Sequence, residues 1–160
     1  MSELTIERAR EMLSYSPSTG VLTWKSGPRN GLVAGCLHPE GYLKTRIDDR
    51  LYLNHRLIWL MLFGHWPKND IDHINGEKND NRLANIRDVT RKTNLQNQKM
   101  PSINNKSGFL GVTFDKRKKK FRAEIGVDRK HIFLGRFQTP EEAHQAYLSA
   151  KRQLHAGCTI

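Results

Sequence analysis

Three patterns predict an α+β fold for this chain of 160 residues. Runs with alternating apolar residues, such as "GYLKTRI" and "KKFRAEI", are typical of half-buried strands. The nearly continuous apolar run "RLIWLMLFG" indicates a buried helix that ends at Gly64. The segment "TPEEAHQAYLSAKRQLHAG" carries helix signals at both of its ends. Short strands mixed with separate helices are typical of the α+β class.

The first part of the chain combines a helix with several strands. "TIERAREML" predicts a helix with Thr5 as its N-cap. "STGVLTWK" indicates a turn that leads into a strand. "DDR" is expected to turn the chain between "GYLKTRI" and a returning strand, "LYLNH". This part therefore contains strands and a helix before the apolar helix begins.

The last part predicts a small three-stranded antiparallel sheet packed on one helix. Its strands are "FLGVTF", "KKFRAEI" and "KHIFLGRF", joined by turns or charged connections. In the helix that follows, Thr139 is the expected N-cap, Pro140 the first residue and Glu142 the third, which makes a capping box. Gly157 is expected to close this helix.

A change in composition separates the two parts. "QKMPSINNKSG" gathers Pro, Ser, Asn and Gly without apolar periodicity, which is typical of a linker or loop. We therefore predict two domains, residues 1–100 and 107–160, joined by a linker at residues 101–106.

The charge of the chain indicates a polyanionic partner. There are 27 Lys and Arg against 16 Asp and Glu, so the net charge is +11. Residues 106–160 hold twelve basic and five acidic residues, so +7 of this charge lies there. A chain this basic is expected to bind nucleic acid first, and an acidic membrane surface second.

Several classes of protein are disfavoured. The longest apolar run, "LIWLMLF", is far shorter than the roughly 20 residues that span a bilayer. The N-terminus is charged from its start, unlike a secretory signal, so a cytoplasmic location is expected. Cys36 and Cys158 are far apart in sequence, and neither a disulfide framework nor a structural zinc site is expected.

Asp72 and His73 stand side by side in the stretch "IDHINGEKNDNRLANIRDVTRKTN", which is otherwise rich in turn residues. Cutting a phosphodiester requires a deprotonated water, a neutralised phosphate charge and a stabilised leaving oxygen. A neutral histidine can take the proton of the water. A hard divalent cation with oxygen ligands can do the rest. Because neighbours on a strand point to opposite faces, Asp72 can hold the metal while His73 faces the water.

Five asparagines follow in the same stretch. Asn85 lies thirteen positions past Asp72 and could orient the His73 ring by a hydrogen bond. Asn94 lies twenty-two positions past Asp72, on a predicted helix, and could return to the metal. The others are interpreted as turn, loop or cap residues, namely Asn75 with Gly76, Asn79 and Asn81.

The segment "HRLIWLMLFGHWPKNDIDHINGEKNDNRLANIRDVTRKTNLQNQ" resembles the HNH homing endonucleases of phages, in the branch whose last motif histidine is replaced by asparagine. The resemblance covers about residues 40–100 and implies a ββα-metal core at about residues 68–98. By position it implies His73 as general base and Asn85 as the residue that positions His73. It implies Asp72 and Asn94 as ligands of Mg²⁺, Mn²⁺ or another divalent cation.

A structural interpretation competes with this one. A lone Asp-His pair is more often structural than catalytic, but the two asparagines at these spacings in a basic chain favour catalysis. His55 and Arg56 are possible further site residues. His55 is equally well explained as a core histidine or one at the start of a helix.

Residues 107–157 resemble the APETALA/ethylene-response-factor DNA-binding domain through "GFLGV", "FRAEI", "FLGRF" and "EEAHQAY". The resemblance implies a sheet that enters the major groove and a helix packed behind it. The residues that it implies face DNA are Thr113, Arg122, Glu124, His131 and Phe133. Where the plant family has arginines in its first strand, this chain has Thr113 and Asp115, so the plant target sequence does not transfer.

The residues themselves predict the same orientation of the sheet. Alternation directs Phe121, Ala123 and Ile125 toward the helix and leaves Arg122 and Glu124 on the other face. The turn "KRKKK" is expected to bind phosphates, although a solvated run of charges is the alternative. Its predicted DNA contacts are Lys116, Arg117, Lys119 and Lys120.

Three functions remain open from the sequence. The leading one is a metal-dependent endonuclease of homing type that nicks or cuts double-stranded DNA. The second is a DNA-binding regulator with an inactive HNH module, and the third is an RNA-processing nuclease. The intact set of Asp72, His73, Asn85 and Asn94 favours an enzyme. The predicted groove-binding sheet favours duplex DNA as the partner, and the oligomeric state and target sequence stay open.

Overall fold

The structure is a computed structural model that describes residues 4–160. Its internal contacts divide the chain into two compact units, Met1–Arg91 and Lys92–Ile160. The predicted linker at residues 101–106 lies inside the second unit. The class is α+β, as predicted, with small antiparallel sheets and four α-helices in the described residues. None of the helices in residues 4–160 has the length and apolar character that a membrane span needs.

The first unit opens with a helix and a hairpin. Helix α1 (Ile6–Met12) begins after Thr5, whose side chain accepts a hydrogen bond from the backbone N–H of Arg8, so the predicted N-cap is confirmed. Strands β1 (Leu13–Ser16) and β2 (Val21–Trp24) then pair antiparallel. We call β1, β2 and the turn between them the N-terminal hairpin.

A three-stranded antiparallel sheet follows. It comprises β3 (Cys36–Leu37), β4 (Leu43–Ile47) and β5 (Arg50–Leu53), in that order. Asp48 and Asp49 turn the chain between β4 and β5 with positive φ angles of 44° and 61°. Such angles suit Asp, whose short polar side chain tolerates the left-handed region. The predicted turn at "DDR" is therefore confirmed.

Helix α2 (Asn54–Phe63) begins earlier than the predicted strand "LYLNH" allows, because β5 ends at Leu53. The Asn54 side chain explains this start. Its Oδ1 accepts a hydrogen bond from Thr45 Oγ1 at 2.7 Å, and its Nδ2 donates to the Ala34 carbonyl at 3.0 Å. The buried amide is thus satisfied by two other segments. Gly64 ends α2 in the left-handed conformation, as predicted.

The core of the first unit gathers around α2. This helix contributes Leu57, Ile58, Leu60 and Met61, all buried. The other buried apolar members come from the flanking helix, strands and loops: Leu4, Ala9, Leu13, Leu22, Trp24, Ala34, Ile47, Ile71 and Ile86. Burial of this apolar area is the main favourable term in folding the unit. The same core anchors Ile71 and Ile86, which lie beside the candidate site.

Two short strands end the first unit, and the helix that follows them leads into the second unit. Strands β6 (Asp70–His73) and β7 (Ile86–Val89) pair antiparallel, with Asp72 opposite Arg87 and His73 opposite Ile86. The loop between them spans residues 74–85. Helix α3 (Arg91–Gln96) follows β7, so the predicted chain order of strand, strand and helix is present.

The second unit contains the predicted sheet and helix. Strands β8 (Val112–Asp115), β9 (Lys120–Val127) and β10 (Lys130–Phe137) form an antiparallel sheet with β9 in the centre. Helix α4 (Pro140–Leu154) packs on all three strands. The predicted capping box of Thr139 and Glu142 is present.

The predicted end of α4 is wrong in detail. The helix stops at Leu154 with His155 as its C-cap, rather than at Gly157. Gly157 instead lies against α3, where its N–H donates to Gln96 Oε1 at 3.2 Å. A Cβ at Gly157 would lie 2.2 Å from the Thr93 carbonyl oxygen. Gly157 is thus required for close approach to α3 and not for helix termination.

Lys151 is the largest fully buried side chain on α4. Its Nζ donates a hydrogen bond to the backbone carbonyl of Gln98 and lies 5.9 Å from the centre of the Tyr147 ring. Burial lowers the pKa of this amine. The hydrogen bond fastens the segment after α3 to the last helix of the same unit.

Candidate active site

Asp72 and His73 end strand β6, and both are buried, with 5% and 4% of their surface exposed. As neighbours on a pleated strand they point to opposite faces, as predicted. Each face has its own set of partners. The Asp72 side chain pairs with an arginine. The His73 ring contacts two aromatic rings and the side-chain amide of an asparagine.

The Asp72 carboxylate forms an ion pair with Arg87 on the facing strand. Arg87 Nε and Nη2 lie 2.9 Å and 2.8 Å from Asp72 Oδ2. Charge-assisted hydrogen bonds of this kind are stronger than neutral ones and fix the direction of the carboxylate. Sequence reasoning missed Arg87, although its place opposite Asp72 follows once β6 and β7 are paired in register.

The His73 ring lies in a cluster with His55 and Tyr42. The ring centres of His55 and His73 are 5.2 Å apart with planes at 74°, an edge-to-face contact. Tyr42 lies 5.3 Å from His55 and 6.0 Å from His73. His55, a possible site residue from sequence, therefore touches the predicted general base from the first turn of α2.

Burial keeps both histidines uncharged at neutral pH. It lowers the pKa of His55 to about 3, and the neighbouring His73 and Arg56 act in the same direction. Burial also lowers the pKa of His73, against the opposing effect of its hydrogen bond to Asn81. A neutral imidazole has the lone pair that a general base needs.

Asn81 is a second residue beside the Asp-His pair that sequence reasoning missed. Its side chain is 1% exposed, and its Oδ1 lies 3.0 Å from His73 Nε2. The interpretation of Asn81 as a loop or cap residue is therefore incomplete, since its side chain points inward to the histidine ring. Asn79, two residues earlier, is exposed as expected of a loop residue. Nothing local in the sequence separates the two.

Asn85 closes the loop that follows His73. Its Oδ1 accepts from the Asn75 N–H at 2.9 Å, and its Nδ2 donates to the Asp80 carbonyl at 2.7 Å. Its own carbonyl accepts from the Ile74 N–H at 2.8 Å. Asn85 thus ties both ends of the loop together. Its role in positioning His73 stays a prediction. Asn85 would act on the ring through the backbone of this loop, which begins directly after His73.

The remaining predicted residues of the site lie at its margin or in the other unit. Arg56 is half-buried, and its Nη1 is 3.5 Å from the Asn69 carbonyl oxygen. Asn94 lies on α3 and is half-buried within the second unit. Its role as a metal ligand stays a prediction.

The side chains around Asp72 determine whether this site can bind a divalent cation. In residues 4–160 no three His, Cys, Asp or Glu side chains come together as a metal-binding group. Mg²⁺ needs fewer protein ligands, since one or two carboxylates with substrate phosphates and water usually complete its shell. Asp72 supplies one such carboxylate, and a carboxylate has lone pairs for a metal beside its bonds to Arg87. The residues present fit a Mg²⁺-type ion that is shared with the substrate.

The predicted DNA-binding face of the second unit is open. Cross-strand pairing aligns Thr113, Arg122 and Arg136 in one row across the three strands. Ala123 and Ile125 are buried on the opposite face, as the alternation predicts. The Arg122 guanidinium forms an ion pair with Glu124 on its own strand.

Phe133 lies between two arginines on this face. The guanidinium carbons of Arg122 and Arg136 are 5.4 Å and 5.1 Å from the centre of its ring, both within cation–π range. Arg136 was missed from the sequence. A bulge between Phe133 and Gly135 shifts the pairing by one residue, so side chains three positions apart share a face.

Most of the other predicted DNA contacts are exposed. His131 lies near the start of β10, and Lys116, Arg117 and Lys119 lie in the turn that joins β8 to β9. Lys120 is half-buried as the first residue of β9. Lys119 has a positive φ of 52° in this turn. Asp115 accepts hydrogen bonds from the N–H groups of Arg117 and Lys118, which organises the turn and lowers the pKa of its carboxyl. The turn is therefore held by the Asp115 carboxylate, and the side chains of Lys116, Arg117 and Lys119 remain exposed.

A neutral buried histidine beside an oriented carboxylate is the kind of arrangement that hydrolytic sites use. The family model of HNH endonucleases matches residues 52–96, from β5 to α3. Residues 52–96 are thus similar to an HNH endonuclease domain, and this similarity supports nuclease activity on DNA. No curated protein and no solved structure gave a match to the chain.

Proposed function

We propose that this protein is a divalent-metal-dependent endonuclease of homing type that hydrolyses phosphodiester bonds in double-stranded DNA. The observation that carries the proposal is the pair of neighbours Asp72 and His73 inside the matched domain, with His73 neutral at pH 7 and Asp72 fixed by Arg87. A neutral base beside an ordered carboxylate is the arrangement that metal-assisted hydrolysis requires.

In the proposed reaction His73 removes the proton of a water as that water attacks the phosphorus. Burial keeps the ring uncharged at neutral pH, so it can accept that proton. Asp72, with Asn94 as the resemblance implies, would hold the cation. When bound, Mg²⁺ or Mn²⁺ supplies charge to neutralise the phosphate and to stabilise the leaving oxygen. Arg87 holds the Asp72 carboxylate in its orientation.

The charge of the chain supports a nucleic acid as substrate. The net charge of +11 gives an electrostatic attraction to the phosphate backbone that does not depend on sequence. The open sheet face of the second unit, with Arg122 and Arg136 beside Phe133, offers side chains of the type that read base edges or stack. We propose that this unit binds duplex DNA and selects the site, in the manner of the APETALA-type domain that it resembles.

Incubation of the full chain with supercoiled plasmid tests the proposal. Cleavage is expected with Mg²⁺ or Mn²⁺ and is expected to stop with excess chelator. A nicked circle as the end product would indicate a one-strand cutter, and a linear product would indicate cutting of both strands. His73→Ala at equal DNA occupancy is the control for a contaminating nuclease.

The competing function is a DNA-binding regulator with an inactive nuclease module. Tight binding to the plasmid without cleavage, in either metal and over a range of sequences, would favour that function. Preferential cutting of a folded RNA in the same buffer would point instead to RNA processing. Either result would overturn the proposed endonuclease.

A further inference from the structure

The loop between β6 and β7 carries a buried amide that touches the catalytic ring. Asn81 Oδ1 is 3.0 Å from His73 Nε2. An amide oxygen can only accept a hydrogen bond, so the proton of the neutral ring is on Nε2 and its lone pair is on Nδ1. The hydrogen bond therefore determines both the direction of the ring and which nitrogen acts as base.

Asn81 is itself held by the N-terminal hairpin, which lies outside the residues that match the HNH model. The Tyr15 hydroxyl on β1 donates to the Asn81 backbone carbonyl at 2.9 Å. Two residues later in the loop, the Leu83 N–H donates to the Pro17 carbonyl at 3.3 Å. Two hydrogen bonds thus join the hairpin to the loop, one at the Asn81 carbonyl and one two residues later.

Gly20 brings the turn of the hairpin against the same loop. A Cβ at Gly20 would lie 2.5 Å from Arg82 N and 2.6 Å from the Asn81 carbonyl carbon. Its φ of +76° is also one that residues with a side chain rarely adopt. The close backbone approach and the two hydrogen bonds make three independent links between the hairpin and the loop at residues 81–83.

We propose that Asn81 is a positioning residue for His73, and that the N-terminal hairpin holds Asn81 in place. This inference rests on the proposed nuclease function, because it gives His73 its task. The hairpin thereby becomes part of the catalytic apparatus through its contacts with Asn81. Asn81 acts through His73 and makes no bond to the reacting atoms.

Two variants of Asn81 separate the hydrogen bond from the packing. Asn81→Leu keeps the branching of the side chain at Cγ and removes the acceptor. The fold is expected to tolerate it, because Asn81 Nδ2 is buried without a hydrogen-bond partner in residues 4–160, and Leu removes that unsatisfied donor as well. Asn81→Asp has the same shape and keeps an acceptor toward Nε2, so it is the conservative rescue.

The kinetic test measures cleavage of plasmid under saturating and limiting DNA. Asn81→Leu is expected to lower kcat by roughly 10-fold to 100-fold, the usual cost of losing a group that orients an active-site ring, while KM stays within about twofold. Asn81→Asp is expected to recover most of kcat. A saturated rate for Asn81→Leu within twofold of the parent, or equal losses in Asn81→Leu and Asn81→Asp, would overturn the proposal.

A spectroscopic test needs neither metal nor DNA. The ¹⁵N signals of the His73 ring distinguish a protonated nitrogen from one with a lone pair. In the parent at neutral pH we expect one tautomer, protonated at Nε2. Asn81→Leu is expected to give mixed or averaged signals, and Asn81→Asp to restore one tautomer. Unchanged ring signals in Asn81→Leu would show that Asn81 does not position the ring.

The hairpin is tested by Tyr15→Phe, which removes one hydroxyl and keeps the ring. A net hydrogen bond of ordinary strength corresponds to roughly a 2-fold to 10-fold effect, so kcat is expected to fall by that factor with KM unchanged. The matched control is Tyr52→Phe, whose ring stacks on Trp66 in the same unit, 5.8 Å between centres. Equal effects of the two variants would remove the hairpin from the proposal.

Gly20→Ala forces the loop backbone to move and is expected to disturb the His73 ring signals. If Gly20→Ala does not fold, Tyr15→Phe still decides the role of the hairpin. If the parent binds DNA but does not cut it, the endonuclease proposal fails. The ring signals of Asn81→Leu still test whether Asn81 positions His73 in that case.

Discussion

Arg87 and Asp72 face each other across the hairpin of β6 and β7, and Arg87 Nη2 lies 2.8 Å from Asp72 Oδ2. The carboxylate is buried, whereas the arginine side chain is 29% exposed. The pair therefore does two things. It compensates a buried charge, and it fixes the orientation of the carboxylate that we propose as a metal ligand.

Replacing only one residue of this ion pair is expected to destabilise the fold. Arg87→Met leaves the buried Asp72 carboxylate without its cation and should lower the free energy of unfolding by about 1–3 kcal/mol. The double variant Asp72→Leu/Arg87→Met should cost less than the sum of its two single variants, because no unpaired charge remains. Urea denaturation of the four proteins measures the coupling. Strict additivity would mean that the pair contributes nothing.

Asp72→Ala should abolish metal-dependent cleavage and leave DNA binding largely intact. The reason is that phosphate-binding groups elsewhere on the basic chain carry most of the affinity. Cleavage is measured on plasmid, binding by fluorescence anisotropy with a labelled duplex, and folding by circular dichroism. A parallel loss of binding and cleavage in a folded variant would assign Asp72 a structural role in DNA binding.

His73→Ala should lower the cleavage rate by roughly 10²–10⁴-fold, the range that a general base contributes. The measurement is the single-turnover rate at saturating protein, so that binding does not limit it. A rate within twofold of the parent would contradict the assignment of His73 as the base.

The pH dependence of stability should report on His55. Its pKa is about 3 in the folded chain and 6.5 when unperturbed, so between these values only the unfolded chain takes up the proton. The free energy of unfolding is therefore greatest above the unperturbed value. It falls as the pH drops from about 6.5 toward 3, by up to about 1.4 kcal/mol per pH unit.

His55→Gln removes this titration. From about pH 7 to pH 5 the parent should lose about 2 kcal/mol more stability than the variant, as measured by urea denaturation at each pH. The loss that comes from His73, whose pKa is also lowered by burial, is shared by both proteins. Equal losses in the parent and the variant would mean that His55 is not held neutral in the fold.

The basic turn and the sheet face should differ in how they bind DNA. Replacing Lys116 and Lys119 by Gln should weaken binding to every duplex alike and lower the magnitude of the salt slope by about 0.9 for each phosphate that is no longer neutralised. Arg122→Ala should cost about 1–3 kcal/mol on the preferred site and little on random DNA. Affinities on both duplexes, measured over a range of salt, separate the two effects. Equal weakening by Arg122→Ala on both duplexes would make the sheet only an electrostatic anchor.

The elements that the sequence predicted well are those decided by local chemistry. The Thr5 cap, the turn at Asp48 and Asp49, the Gly64 end of α2 and the capping box at Thr139 each depend on residues within one or two turns of each other. Their physical cause is thus visible in a short window. The strands of the second unit were predicted for the same reason, because the alternation of apolar and polar residues is a local signal.

The features that the sequence could not supply depend on distant partners. The early start of α2 rests on bonds from Asn54 to Thr45 and Ala34, which belong to other segments. The place of Arg136 beside Phe133 depends on a bulge that shifts the register. Asn81 has the composition of a turn residue, and only tertiary packing directs its side chain to His73.

The buried amine of Lys151 has a practical consequence for cutting the protein into pieces. Its acceptor, the Gln98 carbonyl, lies before residue 107, where the resemblance would place the start of an independent DNA-binding domain. A fragment that starts at residue 107 would lack this acceptor, and the loss of a hydrogen bond to a buried amine is expected to lower its stability, solubility and yield. A fragment that starts at Lys92 keeps the acceptor, together with the hydrogen bond between Gln96 and Gly157. Expression of the isolated C-terminal piece, for crystals or for DNA selection, should therefore begin at α3.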